Sequence, residues 1–211
     1  KIEIKVVDDN SIKENLNVIK DILDKSKENF EIINHNHTEH LNIIKEQKSK
    51  DTFSNLSSLL KSFEIGKNNG EDLIYFIEDD YLHLENWNNV LIEGFELKSE
   101  YISLYDHPDK YKLPIYQKLQ SKILLGKSCH WRTVPSTTLS FAVKFKTFKK
   151  HYEIYKKFNF IESGKTEDHK MFLDLWKNGS SLISSIPSYS SHMDLHWLAP
   201  TINWEEIIKK Y

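Results

Sequence analysis

Cysteine is nearly absent: Cys129 stands alone, which excludes an intrachain disulfide framework and any multi-cysteine zinc or iron–sulfur centre. No cysteine-hydrolase motif surrounds it, so it reads as a small packed side chain, and the composition fits a reducing, cytoplasmic compartment. Long hydrophobic runs are missing too. Nothing approaches the ~20 apolar residues that span a bilayer, which argues against a transmembrane segment. A bulk positive field is also lacking: 29 Lys+Arg face 31 Asp+Glu, and that balance argues against a non-specific nucleic-acid binder. Arginine is scarcer still. Arg132 is the single guanidinium among 28 lysines, a candidate for bidentate binding of phosphate or carboxylate, or else an ordinary surface residue. The starting methionine is missing as well, and a strand begins almost at Lys1, so the chain reads as a fragment whose start has been removed.

What is present is a globular mixture, 39% hydrophobic and 28% charged over 211 residues, enough for one well-buried domain spanning 1–211. β-Branched Ile2–Val7 predicts a strand, followed by a helix over Asn15–Lys25 and a strand over Phe30–Asn34. Thr52–Asn68 carries Leu56, Leu59, Leu60 and Phe63 on one helical face. Leu73–Ile77 is nearly continuous apolar sequence, the pattern of a strand buried on both faces, and Asn86–Leu97 is helical again. Strands over Tyr101–Tyr105, Leu139–Phe145 and Leu182–Ile186 follow, with helices over Thr147–Phe158, Thr166–Lys177 and from Trp204. Alternating strands and helices predict an α/β fold with a mostly parallel sheet flanked by helices.

In such sheets ligands gather beyond the carboxyl ends of strands. Two acidic clusters stand at predicted strand ends, Asp8-Asp9 and Glu78-Asp79-Asp80. Three successive carboxylates repel one another, so the second cluster suits a hard divalent cation, Mn²⁺ or Mg²⁺, especially where a diphosphate adds oxygens; a solvated acidic turn is the alternative. His130-Trp131-Arg132 offers a wall for sugar or phosphate, although Trp131 equally suits a core. His196 and Trp197 are candidates for an acceptor side, with Asp194 another possible acidic contact. His35, His37 and His40 have metal-like spacing without supporting carboxylates and read as a polar loop.

Ile4-Lys5-Val6-Val7-Asp8-Asp9 resembles the second strand and loop of family 2-like GT-A glycosyltransferases, and Ile74–Asp80 resembles their DxD-type motif. Thr166–Phe172 is similar to their later acidic pair at a helix start, and Ser191-His192 to a late metal-binding histidine. With Trp131–Thr138 between, the order of motifs also resembles small glycosyltransferases of large DNA viruses and bacteria. The resemblance implies a GT-A, Rossmann-like fold, here without the family's first strand, and transfer of a sugar from a nucleotide-sugar donor to a glycan or other hydroxyl acceptor, with inversion. It implies that Asp8 or Asp9 contacts the nucleobase, that Glu78, Asp79 and Arg132 serve the donor, and that Asp80 and His192 hold the metal. Asp168, with Glu167 beside it, would be the catalytic base; the same pair would also stabilise a helix N-terminus. Glu78 departs from the usual first Asp, so metal ligation falls more safely on Asp80. A catalytically silent sugar- or nucleotide-binding module of a larger glycan-assembly protein and a nucleotidyltransferase are the competing readings.

Overall fold

The computed structural model describes residues 2–40, 50–158 and 167–210. The chain divides into two compact units, Lys1–Asn69 with Lys156–Thr166, and Gly70–Tyr155 with Glu167–Tyr211.

In the first unit, β1 (Glu3–Asp8) and β2 (Asn29–Asn34) pair in parallel, from Glu3 opposite Asn29 to Asp8 opposite Asn34. The connection between them is α1 (Lys13–Ser26), as parallel strands require a crossover. Helix α2 (Lys50–Asn69) buries Leu56, Leu60 and Phe63, the stripe that its spacing predicts. His35 and His40 are buried here rather than exposed in a polar loop, because both reach Ser57 Oγ at 2.8 Å. A buried imidazole needs such a partner. The side chain of His37 lies outside the described residues.

The second unit is built on a six-stranded sheet. Its strands are β3 (Leu73–Phe76), β5 (Tyr101–Ser103), β6 (Ile123–Leu125), β7 (His130–Thr133), β8 (Phe141–Lys144) and β9 (Leu182–Ile186), in the order β3-β8-β5-β9-β7-β6. The expectation of a mostly parallel sheet does not hold for these pairings. Only β5 and β9 pair in parallel, and the other four pairings are antiparallel. The registers nevertheless make β3, β5 and β9 run in one direction, with β8 reversed between β3 and β5. Their carboxyl ends therefore share one edge. Strand β3 is a second correction: it sits at the margin of the sheet, so only Phe76 is buried and Leu73 and Ile77 are exposed.

Alternation along the strands gives the sheet two different faces. One packs Ile102, Trp131, Ala142 and Ile183 against Val90, Leu91 and Phe95 of α3 (Trp87–Glu96). Gly94 allows the approach, since a Cβ there would lie 2.9 Å from the Trp131 ring. The opposite face carries Tyr101 and Phe141 edge-on to Phe172, with Phe148 and Tyr155 beside them. These come from α5 (Phe145–Lys150), α6 (Tyr152–Lys156) and α7 (Asp168–Lys177); the single helix expected over Thr147–Phe158 is two short ones, divided at His151. A separate two-stranded antiparallel sheet pairs β4 (Tyr81–His83) with β10 (Ser190–His192). Among the described residues, no helix is long and apolar enough to cross a membrane.

Buried Glu93 of α3 holds the turn between β6 and β7. It accepts hydrogen bonds from Ser128 N at 3.0 Å and Trp131 Nε1 at 3.4 Å, and Gly126 packs so closely that a Cβ would lie 2.0 Å from the carboxylate. Glu93→Ala would orphan both donors and is expected to lower unfolding free energy by about 2–4 kcal/mol in urea titration. A change within experimental scatter would remove Glu93 as the tie.

Candidate functional site

Strand β3 delivers Glu78, Asp79 and Asp80 to the shared carboxyl edge of the sheet, because the chain leaves regular pairing after Phe76 and turns into β4. Strand β10 runs back along β4 with His192 opposite Tyr81, and Met193 N donates to the Asp80 carbonyl at 2.8 Å. This clip sets His192 Nε2 3.0 Å from Asp80 Oδ2. Two residues far apart in sequence, each expected to serve a metal, are thus in contact. The His192 ring also stands edge-on to Tyr81, at 5.3 Å between centroids.

Glu78 is anchored from β8's approach. Its N–H donates to Ser140 Oγ at 3.1 Å, and that hydroxyl lies 3.4 Å from the Glu78 carboxylate. Burial of the carboxyl group, and next the charge of Asp80, push Glu78 up to about 7, although much of the residue's surface remains open. Asp168 also acts on Glu78, which puts both carboxylates in one electrostatic neighbourhood.

Asp168 begins α7, after a start expected at Thr166, and accepts from His169 N at 2.9 Å. Burial raises its pKa, while the His169 N–H and the charges of His107, Lys110 and His169 oppose that rise. Glu167 instead points to Lys170, at 2.6 Å on the helix surface. The neighbouring His169 ring is fixed through Nδ1 by Tyr116 Oη at 2.9 Å and Ser136 Oγ at 3.1 Å.

The segment after β5, which includes the short helix α4 (Asp109–Lys112), supplies side chains to which the motifs gave no role. Buried Lys110 donates to both Asp109 oxygens, at 2.8 and 3.0 Å, and lies 4.8 Å from the Tyr116 ring centroid. Burial would raise Asp109, but the His107 hydrogen bond and Lys110 outweigh it and hold the carboxyl below its ordinary range. His107 packs between Tyr105 and Trp197, with ring centroids 4.9 and 5.3 Å away. The strand-end rule that picked out Glu78–Asp80 applies here too, since Asp106–Asp109 lie just beyond the carboxyl end of β5.

Two other expectations, for Arg132 and Trp131, are corrected. Arg132 does not offer a free fork: Nη2 donates to buried Asp106, whose other oxygen takes the Tyr111 hydroxyl at 2.5 Å, and the guanidinium stacks 4.8 Å over the Tyr111 ring. Trp131 is not a sugar wall, since it is fully buried against α3. His130 and His196 are exposed, and Trp197 is half-buried under Lys112, 5.7 Å from its ring. Asp8 and Asp9 belong to the first unit. Asp8 is buried and accepts from Ser11 N at 3.3 Å, whereas Asp9 takes the Ser54 hydroxyl.

Two protein donors suit one cation only if other oxygens complete its shell. Asp194 N donates to His192 Nδ1 at 2.9 Å, so Nε2 carries the ring proton toward Asp80 at hydrogen-bond distance, and a cation would have to displace that proton to be held by both. No group of three candidate ligands occurs among the described residues, so a bound diphosphate or water would have to supply the rest. No protein-family model matches the chain, and no curated protein is similar enough to count as a relative.

The raised Glu78 pKa fixes a pH dependence. The folded protein keeps a proton that the unfolded chain releases near its ordinary 4.5, so this contribution to stability is present below that value and lost as pH rises through about 7. Glu78→Gln is expected to flatten this part of the profile and to melt above wild type at about pH 8. Half-buried His83, lowered to about 4, has the opposite slope and is common to both proteins, so it cancels in the difference between their melting curves. Parallel curves would show that Glu78 is not held protonated by its surroundings.

Proposed function

We propose that this protein is a metal-dependent glycosyltransferase that moves a sugar from a nucleotide-sugar donor to a hydroxyl acceptor with inversion, on a GT-A-like scaffold. The observation that carries the reading is the Asp80–His192 pair at the end of β3, with Glu78 beside it and Asp168 in the same electrostatic neighbourhood. Glycosyl transfer needs two things at one centre. Negative charge on the departing nucleoside diphosphate must be stabilised, and the acceptor hydroxyl must lose a proton as it attacks.

Asp80 and His192 would hold Mn²⁺ or Mg²⁺, which when bound supplies positive charge to a diphosphate. Glu78, whose carboxyl is pushed up to about 7, accepts from the Ser140 hydroxyl, and a cation bound beside it would favour its ionised form. Asp168 accepts the acceptor's proton, and burial raises its basicity toward what a base needs near neutral pH. Lys110 and His107 place positive charge near that carboxylate and favour its ionised resting form. Trp197 and His107 form an aromatic flank on the loop side, a surface suited to a sugar ring.

Asp168→Asn preserves shape and removes basicity. Donor binding, read by calorimetry in Mn²⁺, is expected to survive, while transfer or slow donor hydrolysis falls by roughly 10²–10⁴-fold. Near-wild-type turnover would take the base role from Asp168. Loss of donor binding would place it in the sugar pocket. Glu167→Gln, with its carboxylate on Lys170, is expected to turn over like wild type.

A further inference from the structure

The start of α7 is weakly held by its own sequence. Glu167 stands at the N-cap position, makes no capping hydrogen bond with its side chain, and turns its carboxylate to Lys170. A first turn without a cap leaves backbone donors to water and frays. Asp168 belongs to this turn, at helical spacing from buried Met171 and Phe172, so whatever fixes the turn fixes the carboxylate.

His169 supplies that hold. Its Nδ1 lies 2.9 Å from Tyr116 Oη and 3.1 Å from Ser136 Oγ, and the two hydroxyl oxygens are 3.1 Å from each other. Segments distant in sequence thus meet at one ring nitrogen: α7, the short 3₁₀ helix Pro114–Tyr116, and the crossover between β7 and β8. The anchors are themselves fixed. Tyr116 and Ser136 are buried, the Lys110 ammonium lies over the Tyr116 ring, and Thr137 beside Ser136 bonds Ser103 of β5 at 3.0 Å. The backbone N–H of His169 meanwhile donates to Asp168 Oδ1 at 2.9 Å. One residue therefore grips the scaffold with its ring and the candidate base with its amide.

We propose that His169 is the positioning residue of Asp168, holding its carboxylate at the sheet edge through the ring's tie to Tyr116 and Ser136. The consequence for turnover rests on the transfer reading given above, whereas the placement of the carboxylate does not. Two amide substitutions separate the tie from the charge of the imidazole. Asn sets its amide atoms as far from the backbone as Nδ1 and can donate or accept there, whereas Gln sets them one bond further out, near Nε2. Both are neutral, and Gln is the better helix former. A tie at Nδ1 ranks Asn above Gln, helix stability alone ranks them the other way, and charge alone makes them equal.

Carboxyl carbon-13 titration of the whole chain, with Asp168→Asn identifying the resonance, reads the placement directly. Burial holds Asp168 above its ordinary range, and the charges of Glu78, His107 and Lys110 act on it in every variant alike. His169→Asn is expected to keep that raised titration. His169→Gln is expected to bring it back toward the ordinary range, because the freed turn carries the carboxylate to water. Tyr116→Phe loosens the tie without touching α7, is expected to act in the same direction, and carries the comparison if His169→Gln does not fold. In turnover, His169→Gln should lower kcat by about 10²-fold with donor binding in Mn²⁺ unchanged, and His169→Asn should recover most of the loss. Equal Asp168 titration in the Asn and Gln variants overturns the proposal, as does a Gln variant that titrates like wild type. Absence of turnover in the wild-type protein would strike the transfer reading alone, since the carboxyl titration needs no donor.

Discussion

Carboxylates crowded at the end of one strand set the terms for the second unit. Glu78 and Asp80 arrive together on the turn after β3, and Asp168 acts on the same neighbourhood from the start of α7. Within that crowd, the positive or protonatable partners are few: His192 on Asp80, and Lys110 and His107 toward Asp168. Burial of the Glu78 carboxyl, and next the negative charge of Asp80, push its pKa up to about 7. On the proposed reading, a cation bound beside Asp80 would relieve this deficit of positive charge.

Everything else in the unit works to keep that deficit in place. The common direction of β3, β5 and β9 gathers three loops at one edge, although most neighbouring strands are antiparallel. The β4–β10 clip fixes Asp80 against His192 through backbone hydrogen bonds, which do not depend on the protonation of either side chain. The lone guanidinium, a natural candidate to neutralise the cluster, is committed to Asp106 and Tyr111. It orders the loop after β5 and leaves the Glu78–Asp80 turn with its negative charge.

Much of this was legible in the sequence, and the reasons differ between elements. Acidic residues directly after an apolar run are visible from composition alone, and so is the amphipathic stripe of α2. The contact between Asp80 and His192 followed from a resemblance rather than from spacing, since no local pattern links β4 to β10. Strand direction was not legible. A short apolar strand has the same sequence whether its neighbour runs with it or against it, so β8's reversal and β3's place at the margin appear only in the pairing. Trp131 and Arg132 show a related limit. Alternation along β7 sends one into the core and the other to Asp106, and three adjacent residues of suggestive chemistry cannot all face one ligand. The buried His35–Ser57–His40 arrangement depends on a helix that begins after the histidines, so their spacing alone resembled a polar loop.

The central claim is that the Asp80–His192 pair binds a cation together with a diphosphate. Thermal melting of the chain with a panel of nucleoside diphosphates, each with Mn²⁺ and with EDTA, addresses it directly, since a ligand of the folded state raises the melting temperature by mass action. The account predicts that at least one nucleoside diphosphate raises the melting temperature in Mn²⁺ but not in EDTA, and that Asp80→Asn abolishes this rise. A rise of equal size in EDTA, or one that persists in Asp80→Asn, would contradict it, as would the absence of any rise across the panel.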